Sequence, residues 1–386
     1  MSKILSQKYY TFDDVLLLPD YADFIRDDVD LDIFLHPKLR RRLPVNASPM
    51  DTVSMSQSAI TMAKNGGVGV VHRSLSVEEQ ASEVAKVKAV KGPEEMAAVD
   101  AHGRLLVGAA VGFGLDLPDR MKALTTSGVD FVVADSAHGH TKGIIDVVKF
   151  IKQNYPDLPM MAGNITTYNG AKDLIAAGAD VLRVGMGPGS ICTTRIVTGL
   201  GVPQVSAVME VSRAVKDLGS KATVIADGGI KQIGDIAKAL AAGADSVMLG
   251  SMLAGFRESP GDVVIVKDGK VIEVDENFEG QKFKKYRGMG SVSAMSQGSA
   301  ARYGQKLDPK KMVAEGVESL VKYKGDLPDF LAQIRGGLVS SFFYTGNKNL
   351  PDFKDNTKLI EITPAGMKES HPHSNTLINS GNSYVG

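Results

Sequence analysis

The sequence predicts an α/β protein whose main part is a (β/α)8 TIM barrel. Eight short apolar runs occur between residues 44 and 250, and helical patterns separate them. Runs of this kind are typical of strands that are buried on both faces of a parallel sheet. The motif Gly-Ala-Asp, or a close variant, stands before several runs, and its glycine suits the left-handed position just after a helix. Eight repeated β/α units favour a closed barrel.

The predicted strands follow one another in regular order. They cover residues 44–48, 68–71, 105–111, 131–135, 160–163, 181–185, 223–227 and 246–250. A doubly wound open sheet is the alternative, but no run is followed by the Gly-x-Gly-x-x-Gly fingerprint of dinucleotide-binding sheets. In a barrel the active site is built at the carboxyl ends of the strands. Residues just after each run are therefore the candidates for function.

Two segments depart from the repeat. Residues 91–104, between the second and third strands, are polar and long enough only for a linker. After the eighth strand, residues 263–274 predict a hairpin around Asp268-Gly269. The stretch 286–305 is then rich in Gly and Ser, and a long mobile loop above a barrel mouth is usually functional.

These segments define the expected domain organisation. We predict a single catalytic domain over residues 1–374, in which residues 261–315 form the hairpin and a mobile flap. The polar tail at 375–386 is expected to be disordered.

Composition excludes several classes of protein. Hydrophobic residues make up 43% of the 386 residues, which is enough for a large core. Lys+Arg 44 balance Asp+Glu 44, so non-specific binding to nucleic acid or anionic membranes is disfavoured. No apolar run reaches the roughly 18–20 residues of a membrane span, and the N-terminus does not resemble a secretory signal. With Cys192 as its one cysteine, the chain is expected to be a soluble cytoplasmic protein.

The loop after the sixth strand carries the strongest chemical signal. Gly185, Gly187 and Gly189 expose backbone groups, as a loop that wraps an anion or a cation requires. A lone cysteine is more often a small buried hydrophobe than a nucleophile. Cys192, however, lies beside two threonines and Arg195 at a strand's carboxyl end. A thiolate next to an electropositive loop is a competent nucleophile, so we predict that Cys192 is catalytic.

The ends of the last two strands predict a phosphate site. Asp227-Gly228-Gly229 ends the seventh strand and Gly250-Ser251 ends the eighth, which is where barrels of this class usually bind phosphate. Asp227 could then accept hydrogen bonds from a ribose diol. The alternative is that these glycines only allow tight turns.

The end of the fourth strand contains a His-x-His pair. His138 and His140 follow Asp135 and Ser136, but no further His or Cys is placed to complete a zinc set. We therefore expect no zinc here. Asn164 and Arg183, near the ends of the next two strands, are predicted to face the mouth of the barrel.

Taken together, the motifs resemble one enzyme family. ASPMDTV at 47–53, DSAHGH, GNITT, GPGSICTTRIVTGLGVPQ, IADGGI, MLGSMLAG, YRGMGS and ESHPH at 369–373 occur in this order. The set resembles the inosine-5'-monophosphate (IMP) dehydrogenase family and extends from residue 11 to 373. GMP reductase shares the barrel and the Cys-Thr-Thr-Arg loop, but typically lacks the flap pair Arg302-Tyr303 and the tail Glu369-Ser370-His371.

The sequence departs from that family in two places. Most members insert a regulatory pair of CBS domains between strands two and three, and residues 91–104 are too short to hold it. The flap usually reads Asp-Arg-Tyr-Phe-Gln, whereas this chain has Ala301 and Gly304 beside Arg302-Tyr303. Loss of the acidic and aromatic neighbours predicts weaker closure of the flap.

The resemblance implies NAD-dependent oxidation of IMP to XMP, the committed step of guanine nucleotide synthesis. It implies that Cys192 attacks C2 of the purine, and that Thr194, Arg302 and Tyr303 serve the later hydrolysis. The implied IMP-binding residues are Ser48, Met50, Ser190, Asp227, Gly228, Gly229, Gly250, Ser251, Tyr286, Gly288, Met289, Gly290 and Glu315. The implied NAD-binding residues are Asp135, Ser136, Ala137, His138, Asn164, Arg183 and Gly185.

A potassium site and a homotetramer are also implied. Carbonyl groups of Gly187, Gly189 and Cys192 would bind K+ together with Glu369, Ser370 and His371 of an adjacent subunit, since oxygen ligands suit a hard cation. Two other functions remain open: a GMP reductase, and a catalytically silent nucleotide-binding barrel.

Overall fold

The computed structural model describes residues 4–92, 95–305, 312–374 and 378. The predicted tail at 375–386 thus lies outside the described residues, except for residue 378, and so do small parts of the linker and the flap. None of the described helices is long and apolar enough to cross a membrane.

Eight parallel strands form the barrel, and every strand predicted from the sequence is confirmed to within two residues at each end. The strands are β1 (Val45–Ala47), β2 (Gly69–Val71), β3 (Val107–Val111), β4 (Phe131–Asp135), β5 (Met160–Ile165), β6 (Val181–Val184), β7 (Thr223–Asp227) and β8 (Ser246–Leu249). From β2 to β8 each strand pairs in parallel with the next, and β8 pairs with β1. The circle closes between β1 and β2, where the Ala47 amide donates to the Val68 carbonyl at 2.9 Å and the Val68 amide to the Val45 carbonyl at 3.2 Å.

A helix covers the outside after each strand. The barrel helices are α1 (Ser56–Lys64), α2 (Val77–Lys88), α3 (Leu117–Thr126), α4 (Lys142–Asn154), α5 (Tyr168–Ala177), α6 (Gln204–Asp217), α7 (Ile233–Ala241) and α8 (Leu327–Tyr344). In α4 the apolar residues Ile144, Val148 and Ile151 recur at helical spacing, and all are buried against the sheet. The α5 helix ends at Gly178, whose φ of 103° is the left-handed conformation that the Gly-Ala-Asp motif predicts.

The core lies between this sheet and its helices. Every residue of β3, β4 and β5 is buried, as expected for strands with apolar surroundings on both sides. Several polar side chains inside the core are hydrogen-bonded. Gln80 of α2, for example, donates to the carbonyl of Ala110 at 2.8 Å and accepts from Arg120 at 2.8 Å.

Additional elements surround the barrel. A four-stranded antiparallel sheet after β8 consists of Val263–Lys267, Lys270–Glu273, Phe283–Arg287 and Glu318–Lys322. Asp268 and Gly269 join the first two strands with φ of 52° and 71°, which such a two-residue hairpin requires. Short helices lie at Thr194–Thr198, Val292–Ser296, Leu350–Asn356 and Pro364–Glu369, and 3-10 turns at Phe12–Asp14, Arg26–Asp28 and Ser299–Tyr303. Two small strand pairs join Val15–Leu17 to Leu359–Glu361 and Ile33–Phe34 to Arg40–Arg41.

The linker between α2 and β3 turns back on itself. Isolated antiparallel bridges join Lys91 to Arg104 and Val99 to Leu105. At its base the Lys88 ammonium donates to Asp100 at 3.0 Å and to Asp130 at 2.8 Å. One buried cation therefore ties α2, the linker and the start of β4 together.

Replacing Lys88 with methionine should destabilise the barrel by roughly 3–5 kcal/mol, because the buried Asp130 carboxylate would lose its counter-ion while Asp100 would keep only Arg104. The Lys88 side chain is 4% exposed, whereas that of Lys86 on the same helix is 58% exposed and pairs only with Glu83. Lys86→Met is therefore the matched control, with an expected loss below about 1 kcal/mol. Urea unfolding of both variants measures the difference, and similar losses would show that the Lys88 cluster contributes little.

Candidate active site

A pocket of about 220 Å³ lies at the carboxyl ends of the strands, under the flap. Most of the predicted site residues line it: Ser48, Met50, Ala137, Asn164, Arg183, Gly185, Gly187, Gly189, Ser190, Cys192, Thr194, Asp227, Gly228, Gly229, Gly250, Ser251, Tyr286, Gly288, Met289, Arg302, Tyr303 and Glu315. Gly290 lies next to the lining, since a Cβ added there would be 2.7 Å from the Tyr303 hydroxyl. The fold therefore brings together residues that are far apart in the sequence.

Cys192 lies in a loop that the base of the flap holds in place. The amide of Thr193 donates to the Glu315 carbonyl at 2.9 Å, and the amide of Val317 to the Ile191 carbonyl at 3.0 Å. The half-buried Cys192 thiol donates to Thr194 Oγ1 at 3.2 Å. That hydroxyl in turn donates to Glu315 Oε2 at 2.8 Å. A continuous hydrogen-bonded path thus runs from the only thiol to a carboxylate.

A second group of lining residues is suited to bind a phosphate. Burial raises the pKa of Tyr286 to about 12, although hydrogen bonding with Ser190 and Ser251 lowers it, so the phenol is a neutral donor at neutral pH. A Cβ added to Gly250 would be 2.9 Å from this hydroxyl, so the backbone there is closely approached. Gly228 has a φ of 87° and its backbone, too, is exposed to the pocket. Hydroxyl donors and backbone groups that converge in this way are typical of an anion site.

Asp227, at the end of β7, accepts hydrogen bonds from two neighbouring side chains. Its Oδ2 atom accepts from Asn164 Nδ2 at 2.7 Å and from Arg183 Nε at 3.0 Å. The sequence predicted that this carboxylate is free to bind a ribose. Among the described residues, none donates to its other oxygen, so one acceptor position remains open to the pocket.

The flap is docked on the residues that end β4. The Arg302 guanidinium forms an ion pair with Asp135, and the Arg302 carbonyl accepts from the Ala137 amide at 3.1 Å and from Ser136 Oγ at 3.5 Å. The adjacent Tyr303 lines the pocket. Asp135, Ser136 and Ala137 were predicted to bind NAD, so the docked flap covers part of the predicted cofactor site.

Charges in this region stabilise one another. Burial would raise the pKa of the Asp135 carboxyl, but the guanidinium groups of Arg302, Arg183 and Arg73 hold it below its usual range. Burial would likewise lower the pKa of Arg302, but Asp135 holds it above its usual range. In the docked arrangement Arg302 is therefore a cation and a poor proton acceptor.

The stem of the flap is attached to the end of β1. Arg287 donates through Nε to Asp51 at 3.0 Å and through Nη1 to Ser293 at 2.9 Å. Sequence analysis did not single out these residues. It also missed several lining residues, namely Met186, Pro188, Ile191, Ile230, Lys231, Met248 and Leu249. Most of these residues are apolar and alternate with the predicted ones. In the sequence, only their position at the end of a strand indicates that they line the site.

The predicted potassium ligands lie in two places in the single chain. Gly187, Gly189 and Cys192 line the pocket, whereas Glu369 and Ser370 are exposed at the end of the helix Pro364–Glu369. The prediction concerns a neighbouring subunit, and therefore stays a prediction. Among the described residues no group of three or more His, Cys, Asp or Glu side chains could hold a metal ion. His140 instead bonds Asp173 at 2.7 Å.

Comparison with known proteins gives a consistent result. The IMP dehydrogenase / GMP reductase domain family matches residues 9–373. The inosine-5'-monophosphate dehydrogenase of Borreliella burgdorferi is 41% identical over 412 aligned positions, which cover 97% of this chain and 98% of that protein. The enzyme of the same name from Staphylococcus aureus strain Mu50 is 38% identical over 479 positions, covering 94% and 95%. Since this chain has 386 residues, at least 93 of those 479 positions occur only in the S. aureus protein.

Proposed function

Because the chain belongs to the IMP dehydrogenase / GMP reductase family, we propose that it is an IMP dehydrogenase, which oxidises IMP to XMP with NAD. The observation that carries this proposal is the hydrogen-bonded path from Cys192 through Thr194 to Glu315, next to the docked Arg302-Tyr303 pair. The hydrogen-bonded path is suited to a cysteine that must lose its proton. The docked Arg302-Tyr303 pair is suited to a later hydrolysis step that takes place after the cofactor has left.

In the proposed complex IMP lies across the pocket. Its phosphate binds to the Ser190, Ser251 and Tyr286 hydroxyls and to the backbone of Gly229 and Gly250. Its ribose binds to Asp227 through the oxygen that receives no hydrogen bond from the described residues. Its purine then lies toward Met289, Gly290 and Cys192.

The first chemical step is oxidation at C2 of the purine. Cys192 Sγ adds to C2 as its proton leaves along the path to Thr194 and Glu315. The C2 hydrogen departs with its electron pair as hydride, which leaves a thioimidate on Cys192. NAD, when bound, supplies the acceptor of that hydride.

The cofactor site fits a dinucleotide by its donors and acceptors. Asn164 Oδ1 is buried and accepts no hydrogen bond from the part of the chain that the structure describes, and such an acceptor suits a ribose hydroxyl or a carboxamide N–H. Asp135, Ser136, Ala137, His138, Asn164, Arg183 and Gly185 would hold NAD. Since Arg302 contacts three of these residues in the docked flap, the flap and the cofactor exclude each other.

The second step is hydrolysis of the thioimidate. Water adds to C2, the C2–S bond breaks, and the products are XMP and the free Cys192 thiol. A base must take the water proton. Once Glu315 has released the Cys192 proton to solvent, Glu315 acting through Thr194 suits this role better than the cationic Arg302, and it can return the water proton to the departing sulfur. Arg302 and Tyr303 would exclude bulk solvent and orient the water.

The simplest experiment measures NADH absorbance with IMP and NAD, and NADPH consumption with GMP, each with and without K+. Production of NADH from IMP supports the dehydrogenase. Consumption of NADPH with GMP would identify a reductase, and no turnover with either pair would identify a silent nucleotide-binding barrel. The docking of Arg302-Tyr303 favours the dehydrogenase.

The ion and the assembly belong to the same proposal. We propose a cytoplasmic homotetramer in which K+ is bound by carbonyls of Gly187, Gly189 and Cys192 and by the partner subunit's Glu369, the partner subunit's Ser370 and the partner subunit's His371. An ion that only the assembled form binds stabilises assembly by mass action, and closed cyclic symmetry is usual for such oligomers.

Truncation before Glu369 should abolish activation by K+ and lower the proportion of tetramer, while the barrel stays folded. The milder Glu369→Gln variant should raise the K+ concentration for half-activation by about tenfold, since one charged ligand is lost. Glu279→Gln, at an exposed glutamate in a loop, is the matched control. Activity against K+ concentration and light scattering check both effects. A truncated enzyme with an unchanged K+ response would remove the tail from the ion site.

A further inference from the structure

Arg73, at the carboxyl end of β2, is a half-buried cation that the proposed reaction leaves unused. None of the described residues accepts a hydrogen bond from it, and its Nη2 atom is buried without a partner. Its guanidinium is fixed against the backbone of Gly112, where an added Cβ would be 2.1 Å from Nη1. A cationic group with a buried, unpaired donor is costly, so a carboxylate that reached Arg73 in another state of the protein would stabilise that state.

The charges around Arg73 indicate that partner. Burial lowers the pKa of the guanidinium, Asp135 raises it, and the cations Arg302 and Arg120 lower it further. Arg120 is occupied, because it donates to Asp116 and to Gln80 at 2.8 Å. Asp135 is thus the carboxylate that acts most strongly on Arg73.

Asp135 already has two partners in the docked state. Arg183 donates to its Oδ1 atom, and Arg302 of the flap donates to its Oδ2 atom. Gly112, against which the Arg73 guanidinium lies, is beside Asp135 at the end of the sheet, because Val111 of β3 pairs with Ala134 of β4. Arg73 is therefore next to a carboxylate whose second oxygen is already paired with another cation. When the flap leaves, Oδ2 loses its donor while the carboxylate remains buried below the mouth.

We propose that Arg73 replaces Arg302 at Asp135 when the flap leaves, and thereby favours the undocked flap. In the docked state the two guanidinium groups repel each other. In the undocked state Arg73 would donate to Oδ2, so that Asp135 stays paired with two cations. Arg73 is thus a positioning residue, which acts through Asp135 on the balance between the two positions of the flap.

The consequence for catalysis rests on the proposed function. If NAD binds only when the flap is undocked, its apparent affinity falls with the fraction of protein in that state. Arg73 would then help NAD to bind without touching it. The exchange of ion pairs itself needs neither substrate nor turnover.

Amide hydrogen–deuterium exchange, measured on the ligand-free full chain, tests whether Arg73 replaces Arg302 at Asp135. The amide of Ala137 donates to the Arg302 carbonyl only while the flap is docked, so its exchange rate reports undocking. Arg73→Met should slow this exchange by about tenfold. Arg73→Lys, which keeps the charge, should stay within about twofold of the parent. Arg213→Met is the matched control, because Arg213 is exposed and its partners, Glu210 and the Tyr168 ring, do not line the pocket.

A double-mutant cycle separates this role from a merely structural one. With Arg302→Ala there is no second guanidinium to displace, so adding Arg73→Met should no longer change Ala137 exchange. An equal effect of Arg73→Met in both backgrounds would overturn the proposal. Faster exchange in Arg73→Met alone would also overturn it, since Arg73 would then support docking. If Arg73→Met does not fold, Arg73→Gln carries the same expectation.

Steady-state kinetics supply the second readout. Arg73→Met should raise the KM for NAD by about tenfold and leave the KM for IMP unchanged. A raised KM for NAD with unaltered Ala137 exchange would mean that Arg73 binds an anionic group of the cofactor directly, which overturns the ion-pair exchange. Failure of the parent protein to oxidise IMP would overturn the proposed function, whereas the exchange experiment would still decide the role of Arg73.

Discussion

Replacing Cys192 with alanine should give a folded protein that binds IMP but forms neither a covalent adduct nor NADH. We expect turnover to fall by at least about 1,000-fold, because the chain has no second thiol to attack the purine. Cys192→Ser tests the same point with a group of similar size, since a hydroxyl is a much weaker nucleophile at neutral pH. Intact mass after mixing with IMP and NAD shows whether the adduct forms.

The control for this substitution is binding and stability. The variant should bind IMP with an affinity close to that of the parent, because the groups proposed to bind the phosphate, around Tyr286, are unchanged. Thermal unfolding should be little changed, since Cys192 is only partly buried. A Cys192→Ala enzyme that retained more than about a thousandth of the parent rate would rule out this nucleophile.

Replacing Arg302 with alanine should separate the two chemical steps. Oxidation should still give a burst of about one NADH per active site, and steady turnover should then fall by about 100-fold or more as the thioimidate accumulates. The reason is that Arg302 docks the flap through Asp135, and this docked state is the one proposed for hydrolysis. Stopped-flow absorbance measures the burst, and intact mass detects the adduct.

Arg213→Ala is the matched control for this prediction, because it removes an exposed arginine outside the site. It should leave both the burst and the steady rate unchanged. If Arg302→Ala abolished the burst as well, Arg302 would be needed for oxidation. Docking of the flap and binding of the cofactor at Asp135 would then not be mutually exclusive states.

Much of the architecture could be predicted because it is encoded locally. β4, for example, is a run of apolar residues followed by a polar group, and a strand with that pattern is buried on both faces. The residues after each strand could be recognised as candidates for the same reason. Cys192 stood out because glycines and threonines surround the only thiol of the chain at such a position.

The contacts that organise the site could not be predicted in this way. Arg302 and Asp135 are 167 positions apart, and nothing near either residue specifies their pairing. Glu315 was expected to contact the purine, which stays a prediction, and its hydrogen bond from Thr194, 121 positions away, was not foreseen. Arg73 follows β2 without any motif, and its lack of a partner is visible only in three dimensions.

The bridge between Lys91 and Arg104 also bears on the evolution of the chain. It places the two ends of the linker side by side on paired strands, with Cα atoms about 5 Å apart. A folded module whose own termini lie close together can be spliced between such ends without displacing the barrel, because closing the loop adds little entropic cost. A lineage can therefore gain or lose such a module at this point in a single genetic event. The catalytic barrel is inherited in either case.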